Sequence, residues 1–272
     1  MTRRVSAYIP CFNNSATIAA AVESLRDQTL PVDELFVVDD GSADESAAIM
    51  GVLGVRVIRQ PVNLGRGAAR AIAMKEAANE LVLCCDATNK LGRDFVEKAM
   101  HWFEDRKVAA VFGQILQPAS RSAVDRWRGI YLFKGQEEHT IQRGVGLITF
   151  GTMVRKSHVF AVGNYNESLR HSEDGDLGER LIAAGFEIVS DPSLVITSVT
   201  SNTLGEVLER YWRWHAGREE RVSLRGYLRD VVYSLKAMVW PDLQERDILR
   251  AGISLACPHY QFWRSLLRRR SR

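Results

Sequence analysis

The chain has 272 residues, 46% hydrophobic and 25% charged, an ordinary balance for a soluble globular protein with room for one large α/β domain. Its 36 basic and 33 acidic side chains leave a net charge of +3, too small to argue for a nucleic-acid partner. No run reaches the ~18 apolar residues that a membrane span requires. Cys11, Cys84, Cys85 and Cys257 have no metal-ligand spacing and do not resemble a disulfide framework, and Met1-Thr2-Arg3-Arg4 leads into a strand without the apolar core of a secretory signal. A cytoplasmic chain is therefore expected, with the terminal Arg264, Arg268, Arg269, Arg270 and Arg272 as its one local excess of charge.

Residues 5–9 read as a first strand ending at Pro10, and Ile18, Ala21, Val22 and Leu25 recur at helical spacing behind it. Leu35 to Val38 form a second buried strand. Ser42 and Glu45 have the spacing of a capping box for the next helix. Val55 to Ile58 read as a third strand, Asn63-Leu64-Gly65-Arg66-Gly67 as a loop, Ala68 to Ala78 as a helix, and Leu81 to Cys85 as a fourth strand ending at Asp86. Strand and helix alternate four times in under a hundred residues, which predicts a parallel sheet with right-handed crossovers. Such a sheet gathers its strand ends at one edge, where ligands bind. Asp39 and Asp40 stand at such an end, and ionised carboxylates there, as pure acceptors, can read a nucleotide base or ribose.

After a strand at Val108 to Phe112 the rhythm loosens. Residues 118–146 are polar, basic and aromatic, and read equally as a binding loop or as a surface helix with loops. Leu224, Tyr227, Leu228, Val231, Val232, Leu235, Met238 and Val239 mark an amphipathic helix that Pro241 should end. A helix at Ile248 to Ala256 and a short aromatic-basic one around Tyr260, Phe262 and Trp263 complete the chain.

Three ordered groups of residues carry a resemblance. The first is Pro10-Cys11-Phe12-Asn13, then Gln28-Thr29-Leu30-Pro31 and Asp39-Asp40-Gly41-Ser42. The second is Asn63-x-Gly65 with Ala69-Arg70. The third is Gly163-Asn164-Tyr165-Asn166-Glu167, Ser172-Glu173-Asp174-Gly175-Asp176-Leu177, Arg180-Leu181 and Gly185. In this order and spacing the chain resembles the inverting glycosyltransferases of family 2, which have the GT-A fold. The resemblance implies an α/β fold with a mostly parallel sheet flanked by helices. It places a nucleotide-binding half at 1–115 and an acceptor half at 116–200, followed by a C-terminal helical extension at 201–272. It also implies that Pro10, Phe12, Asp39, Asp40, Asn63, Arg70 and Asp86 bind the nucleotide, with Asp40 preferred for the base.

Inverting transfer needs a general base for the acceptor hydroxyl, and positive charge or a metal for the leaving diphosphate. Asp174, supported by Glu173, is the candidate base. It lies in an acidic cluster with Asp176 and Glu179, where neighbouring carboxylates raise one another's pKa. Residue types alone favour a plainer reading, helix-N-terminal acids suited to the macrodipole. The family match reverses that order.

The chain departs from the family where the fourth strand ends. An Asp-x-Asp that holds Mn2+ or Mg2+ is usual there, but this chain has Asp86-Ala87-Thr88-Asn89, and Thr197-Ser198 stand where a metal-binding histidine is common. Asp86 and Asn89 make a degenerate metal pair, because hard cations prefer carboxylates to amides and hydroxyls. The two losses predict weak or absent dependence on Mn2+ or Mg2+. Arginine would then neutralise the diphosphate. Arg210-Tyr211-Trp212-Arg213-Trp214-His215 resembles the Gln-x-x-Arg-Trp motif of processive members, which assigns Arg213 to phosphate and Trp214 to sugar stacking. A helix whose aromatic stripe packs on the core fits these residues about as well, and a lone His215 is more often structural.

The sequence thus predicts transfer of one sugar from a nucleotide-diphosphate donor, UDP-linked by preference, to a saccharide or lipid-linked acceptor in cell-surface glycan assembly. The C-terminal helices would pack on the domain, on a twin subunit as a homodimer, or peripherally on the inner membrane face. A non-catalytic sugar-nucleotide-binding partner subunit is the rival reading. A sugar nucleotidyltransferase would need a glycine-rich basic loop after the first strand. A dinucleotide enzyme would need G-x-G-x-x-G after a strand.

Overall fold

The computed structural model describes residues 4–120, 122–135, 140–215 (backbone alone at 214 and 215) and 222–267. The chain forms two compact units, Met1–Leu116 with Glu138–Thr200, and Gln117–Glu137 with Ser201–Arg272. The stretch 117–137, expected within an acceptor half, groups instead with the C-terminal helices.

The first unit runs β1 (Val5–Cys11), α1 (Ile18–Arg26), β2 (Glu34–Asp39), α2 (Ser46–Val52), β3 (Arg56–Arg59), α3 (Arg66–Glu76), β4 (Leu81–Cys85), β5 (Asn89–Leu91), α4 (Phe95–Trp102) and β6 (Val108–Leu116). The second unit then contributes α5 (Ala123–Tyr131), and the first resumes with β7 (Gln142–Arg143), β8 (Gly151–Arg155), α6 (Lys156–Ala161), α7 (Glu173–Ala183) and β9 (Glu187–Ser198). Among the described residues these strands form one mixed sheet in the order β3-β2-β1-β4-β8-β6-β9-β5, with β7 also paired to β9. Strands β3, β2, β1 and β4 are parallel neighbours, as the strand–helix alternation demands. Beyond β4 the sheet changes character: β8 runs antiparallel to both β4 and β6, while β6 and β9 are parallel.

Both faces of the sheet are covered, so β4 is one continuous apolar run, and β1 is buried on both faces although residues 5–9 alternate in sequence. Tyr8, Phe36, Val38 and Val82 lie in one cluster with Ala69, Ala73 and Met74 of α3 and Leu177 and Leu181 of α7. Ala7, Ile9 and Val37, equally buried, point the other way by the two-residue period. Ile18, Val22 and Leu25 of α1 and Phe95 and Val96 of α4 are buried as well.

The second unit is helical: α5, α8 (Leu204–His215), α9 (Leu224–Ser234), a π-helical turn Leu235–Val239, α10 (Trp240–Gln244) and α11 (Ile248–Leu267). The 118–146 stretch, read as either a loop or a surface helix, supplies α5, whose Trp127 and Arg128 are fully buried. Arg128 donates to Gln117 and Asn202 and lies over the Phe133 ring at 5.3 Å. A buried acid, Asp242, organises this unit. It accepts from Tyr131 at 2.8 Å, from Ser254 at 2.7 Å and from Arg250, while the Trp127 indole donates to Ser254 at 2.8 Å.

Two helix boundaries differ from expectation. Pro241 does not end the helix; it follows directly on a π-helical turn at Leu235–Val239, and the helical path continues through it to Gln244. The last two predicted helices are one, α11, with Pro258 inside it. Proline there orphans the carbonyl of Ser254, and the Ser234 hydroxyl donates to that oxygen at 2.6 Å. The break that proline should impose is repaired from a neighbouring helix.

Candidate active site

The ends of β1 and β2 are tied together by side chains that accept backbone N–H groups. Asn13 N–H donates to Ser42 Oγ, Asn14 N–H to Ser46 Oγ and Ser15 N–H to Asp44 Oδ2, each at 2.9 Å, and Ala43 N–H donates back to Asn13 Oδ1 at 2.9 Å. Ser42, expected to cap α2, is thus spent on the β1 loop, and α2 begins only at Ser46 with no side-chain cap. Burial would raise the Asp44 carboxyl, but bonds from Ser46 and Ser15 outweigh it and hold the group down at about 2. Pro10 pairs with Val38 inside the sheet, while the Phe12 ring is 43% exposed at the strand end, free to lie against a ligand.

Asp39 and Asp40 have different surroundings. Asp40 Oδ1 accepts from Gln60 at 2.9 Å and from Leu64 N–H at 2.8 Å, and its Oδ2 accepts from Gly65 N–H at 2.8 Å. The residue preferred for base recognition is therefore the brace of the 63–65 loop. Burial lifts its pKa against those same hydrogen bonds. Asp39 Oδ1 accepts from Ser42 N–H, whereas its buried Oδ2 takes no hydrogen bond and lies 3.3 Å from the half-exposed Arg59 Nε. Gly41 between these loops has φ +75, and a Cβ there would stand 2.8 Å from the Val62 carbonyl carbon, so the close approach of the two loops needs glycine. Asn63 is held by Arg170, which donates to both its carbonyl and its side-chain oxygen.

Arg70, expected to face the nucleotide, is buried completely. Its Nε donates to Glu173 Oε1 at 3.0 Å, Nη2 to Asp86 Oδ1 at 2.9 Å and to the Thr149 carbonyl at 3.1 Å, and Nη1 to the Tyr8 hydroxyl and Cys84 Sγ. One guanidinium thus joins the end of β4 to the start of α7. Two features of α3 permit this. The helix presents Arg70 inward between alanines, and Gly67, whose Cβ would meet the Asn166 carbonyl at 2.3 Å, lets the helix start press on the loop before α7.

Glu173 is fully buried, and its second oxygen has no hydrogen-bond partner. Burial would raise its pKa, but Arg70 and then Arg66, 3.7 Å away, outweigh burial and keep it low. Its neighbour Asp174 is pushed the other way, first by burial and then by the Glu173 charge, over the opposition of Arg70. Asp174 accepts from the Thr149 hydroxyl at 3.4 Å and from Gly175 N–H at 2.9 Å. Two adjacent carboxylates driven apart in pKa are the pattern of an anchored ion and a proton acceptor.

The residues present do not fit a family metal centre. Asp86 already carries the Arg70 guanidinium, and the Asn89 side chain, buried in β5, donates its amide to the Phe150 carbonyl at 2.9 Å. Among the described residues no three His, Cys, Asp or Glu side chains gather to hold an ion. Arg213 lies in the second unit, on α8, lining a hollow of about 440 Å³ with Asn202, Glu206, Glu209, Arg210 and Tyr260. The side chains of Trp214 and His215 lie outside the described residues. Sequence reading missed Tyr8, Cys84, Thr149 and Arg170. Nothing local distinguishes these from ordinary strand and loop residues.

A sheet that gathers acids at its strand ends, with an acid pair opening a helix beside them, defines a GT-A glycosyltransferase. The profile of "Glycosyl transferase family 2" matches residues 6–162, and the chain belongs to that family. An N-acetylglucosaminyltransferase of Rhizobium meliloti is 28% identical over 238 residues, covering 77% of this chain and 54% of the relative. A poly-beta-1,6-N-acetyl-D-glucosamine synthase of Staphylococcus epidermidis is 23% identical over 233 residues, covering 82% and 56%. The chain thus spans about half the length of the curated relatives it matches. The mannosyltransferase PcManGT from Pyrobaculum calidifontis, solved with GDP-Man and Mn2+, shares the fold at a TM-score of 0.60 and 16% identity, over 98% of this chain and 74% of that one.

Proposed function

We propose that this glycosyltransferase moves one sugar, with inversion, from a UDP-linked donor to a saccharide or lipid-linked acceptor in cell-surface glycan assembly. The observation that carries the reading is the divergent pair Glu173–Asp174, with Arg70 joining it to Asp86. Asp174 would take the proton of the acceptor hydroxyl as its oxygen attacks the anomeric carbon, while the nucleoside diphosphate leaves from the opposite side. A carboxylate raised above its ordinary range is a better proton acceptor at neutral pH than an unperturbed one. Arg70, Glu173 and Thr149 would hold that carboxylate in place. Asp39 and Asp86 would face the nucleoside, and the exposed Phe12 ring would lie against its base. Arg66, half exposed beside Glu173, would be a cation for the diphosphate; Arg213 and Trp214 of α8 are a second assignment for phosphate and sugar. The names of the two relatives make UDP-N-acetylglucosamine the first donor to test.

Titration calorimetry with UDP, GDP and dTDP, each with Mn2+ and with EDTA, tests the donor side, and NMR of the product's anomeric configuration tests inversion. UDP binding in EDTA would support an arginine-assisted site. Product with retained configuration would overturn the mechanism. The Asn89 amide bound to a backbone carbonyl favours a second reading, a non-catalytic sugar-nucleotide-binding subunit, which tight UDP binding without turnover on any acceptor would support.

A further inference from the structure

From Leu224 to Gln244 the chain is helical without interruption, through α9, the π turn and α10. One side of this path is held by the second unit. Ser234 and Met238 are buried, Tyr227 packs on Phe262 with ring centroids 4.6 Å apart, and Ser234 donates to Ser254. The other side carries Leu224, Leu228, Val232 and Leu235 at spacings of four, four and three, exposed by 65%, 54%, 50% and 44%. Residues at these spacings form one stripe. A parallel column one position along holds Arg225, Arg229, Tyr233, Lys236 and Trp240, all of them exposed.

We propose that this face is the seat of the protein on an anionic lipid bilayer, lying in the headgroup layer without crossing it. The stripe leaves several large apolar side chains in water, which a monomer rarely does in a contiguous line. The column beside it supplies three cations and two aromatic residues with polar edges, side chains that settle at a membrane interface. Asp230 is the one acid between Leu224 and Trp240, and it is half buried and paired with Arg229 at 3.4 Å. A second copy of the chain is a poorer occupant. A twofold contact would set this cationic column against a surface of the same composition, with no acidic row to answer it, whereas anionic headgroups neutralise it. No helix among the described residues is long and apolar enough to span a membrane, so the contact is peripheral.

The test is flotation of the full chain with vesicles of equimolar phosphatidylcholine and phosphatidylglycerol, against vesicles of phosphatidylcholine alone. Binding to the mixed vesicles and little to the neutral ones is expected. Each surface cation contributes about fivefold, so R225E, R229E and K236E together should weaken binding by ~100-fold or more. Leu228→Asp with Val232→Asp should abolish it. Both variants should bind UDP as the parent does, which separates loss of the membrane seat from loss of the fold or of the donor site. Three outcomes overturn the proposal: no flotation with mixed vesicles, equal binding to neutral ones, or binding that neither variant weakens. Sedimentation equilibrium showing a dimer that Leu228→Asp dissolves, with no vesicle binding, would assign the face to a twin subunit instead.

Discussion

Each unit contains a buried arginine bound to a buried acid, yet the two networks are finished differently. In the second unit, both oxygens of Asp242 are engaged by Tyr131, Ser254 and Arg250, and Ser254 in turn receives the Trp127 indole. That circuit is closed and serves packing. In the first unit, Arg70 spends its donors on Glu173, Asp86, Thr149, Tyr8 and Cys84, but the acids keep acceptor capacity in reserve. Glu173 has an unbonded oxygen, the Asp86 side chain is 24% exposed, and Asp174 is shifted upward in pKa. Buried polar groups are normally satisfied. On the proposed reading, the unspent acceptors of the first unit are where a ligand would complete the circuit, whereas the Asp242 network is complete without one.

This contrast can be broken by substitution. Asp174→Asn should have the largest effect, lowering kcat by ~1,000-fold while leaving the calorimetric UDP affinity within a factor of about two. Comparable turnover in that variant would remove Asp174 as the base. Arg70→Met and Asp242→Asn come next. Arg70→Met strands two carboxylates and should cost about 3–5 kcal/mol of stability by denaturant unfolding, with nucleotide affinity lost as well. Asp242→Asn should cost stability in the second unit but leave the pH profile of transfer unchanged, because Asp242 bonds to Tyr131, Ser254 and Arg250 and to neither Glu173 nor Asp174.

The pH profile sharpens the comparison further. The base must be ionised, so kcat/KM should fall as pH drops through the raised Asp174 pKa, at a higher pH than an ordinary aspartate would give. Glu173→Gln removes one of the two influences that raise Asp174. The acid limb should then move to lower pH, and an unmoved limb would show that burial alone sets it. The smallest effect expected is at the repaired helix. Ser234→Ala should cost about 1 kcal/mol, and less in a Pro258→Ala background, where the helix can satisfy the Ser254 carbonyl itself.

The legible part of this protein was local. Strand–helix alternation from residue 5 to 85 predicted β1 to β4 as a parallel set, and the polar residues after β1, β2 and β4 pointed to the edge where the candidate site is placed. The acid pair Glu173–Asp174 was picked out by motif before any geometry. Roles that depend on distant partners were not legible. Arg70 and Glu173 are 103 residues apart, and no pattern along the chain says that this arginine turns inward. For the same reason Asp40 became a loop brace, Ser42 an acceptor for the β1 loop, and Pro258 an ordinary helix residue. Hydrophobic periodicity and turn chemistry act over a few residues, so the sequence by itself determined the elements and the edge at which they meet. Which oxygen satisfies which buried donor is settled only when elements from across the chain are packed, and that packing separated the acid held low by Arg70 from its neighbour, whose carboxyl is pushed up.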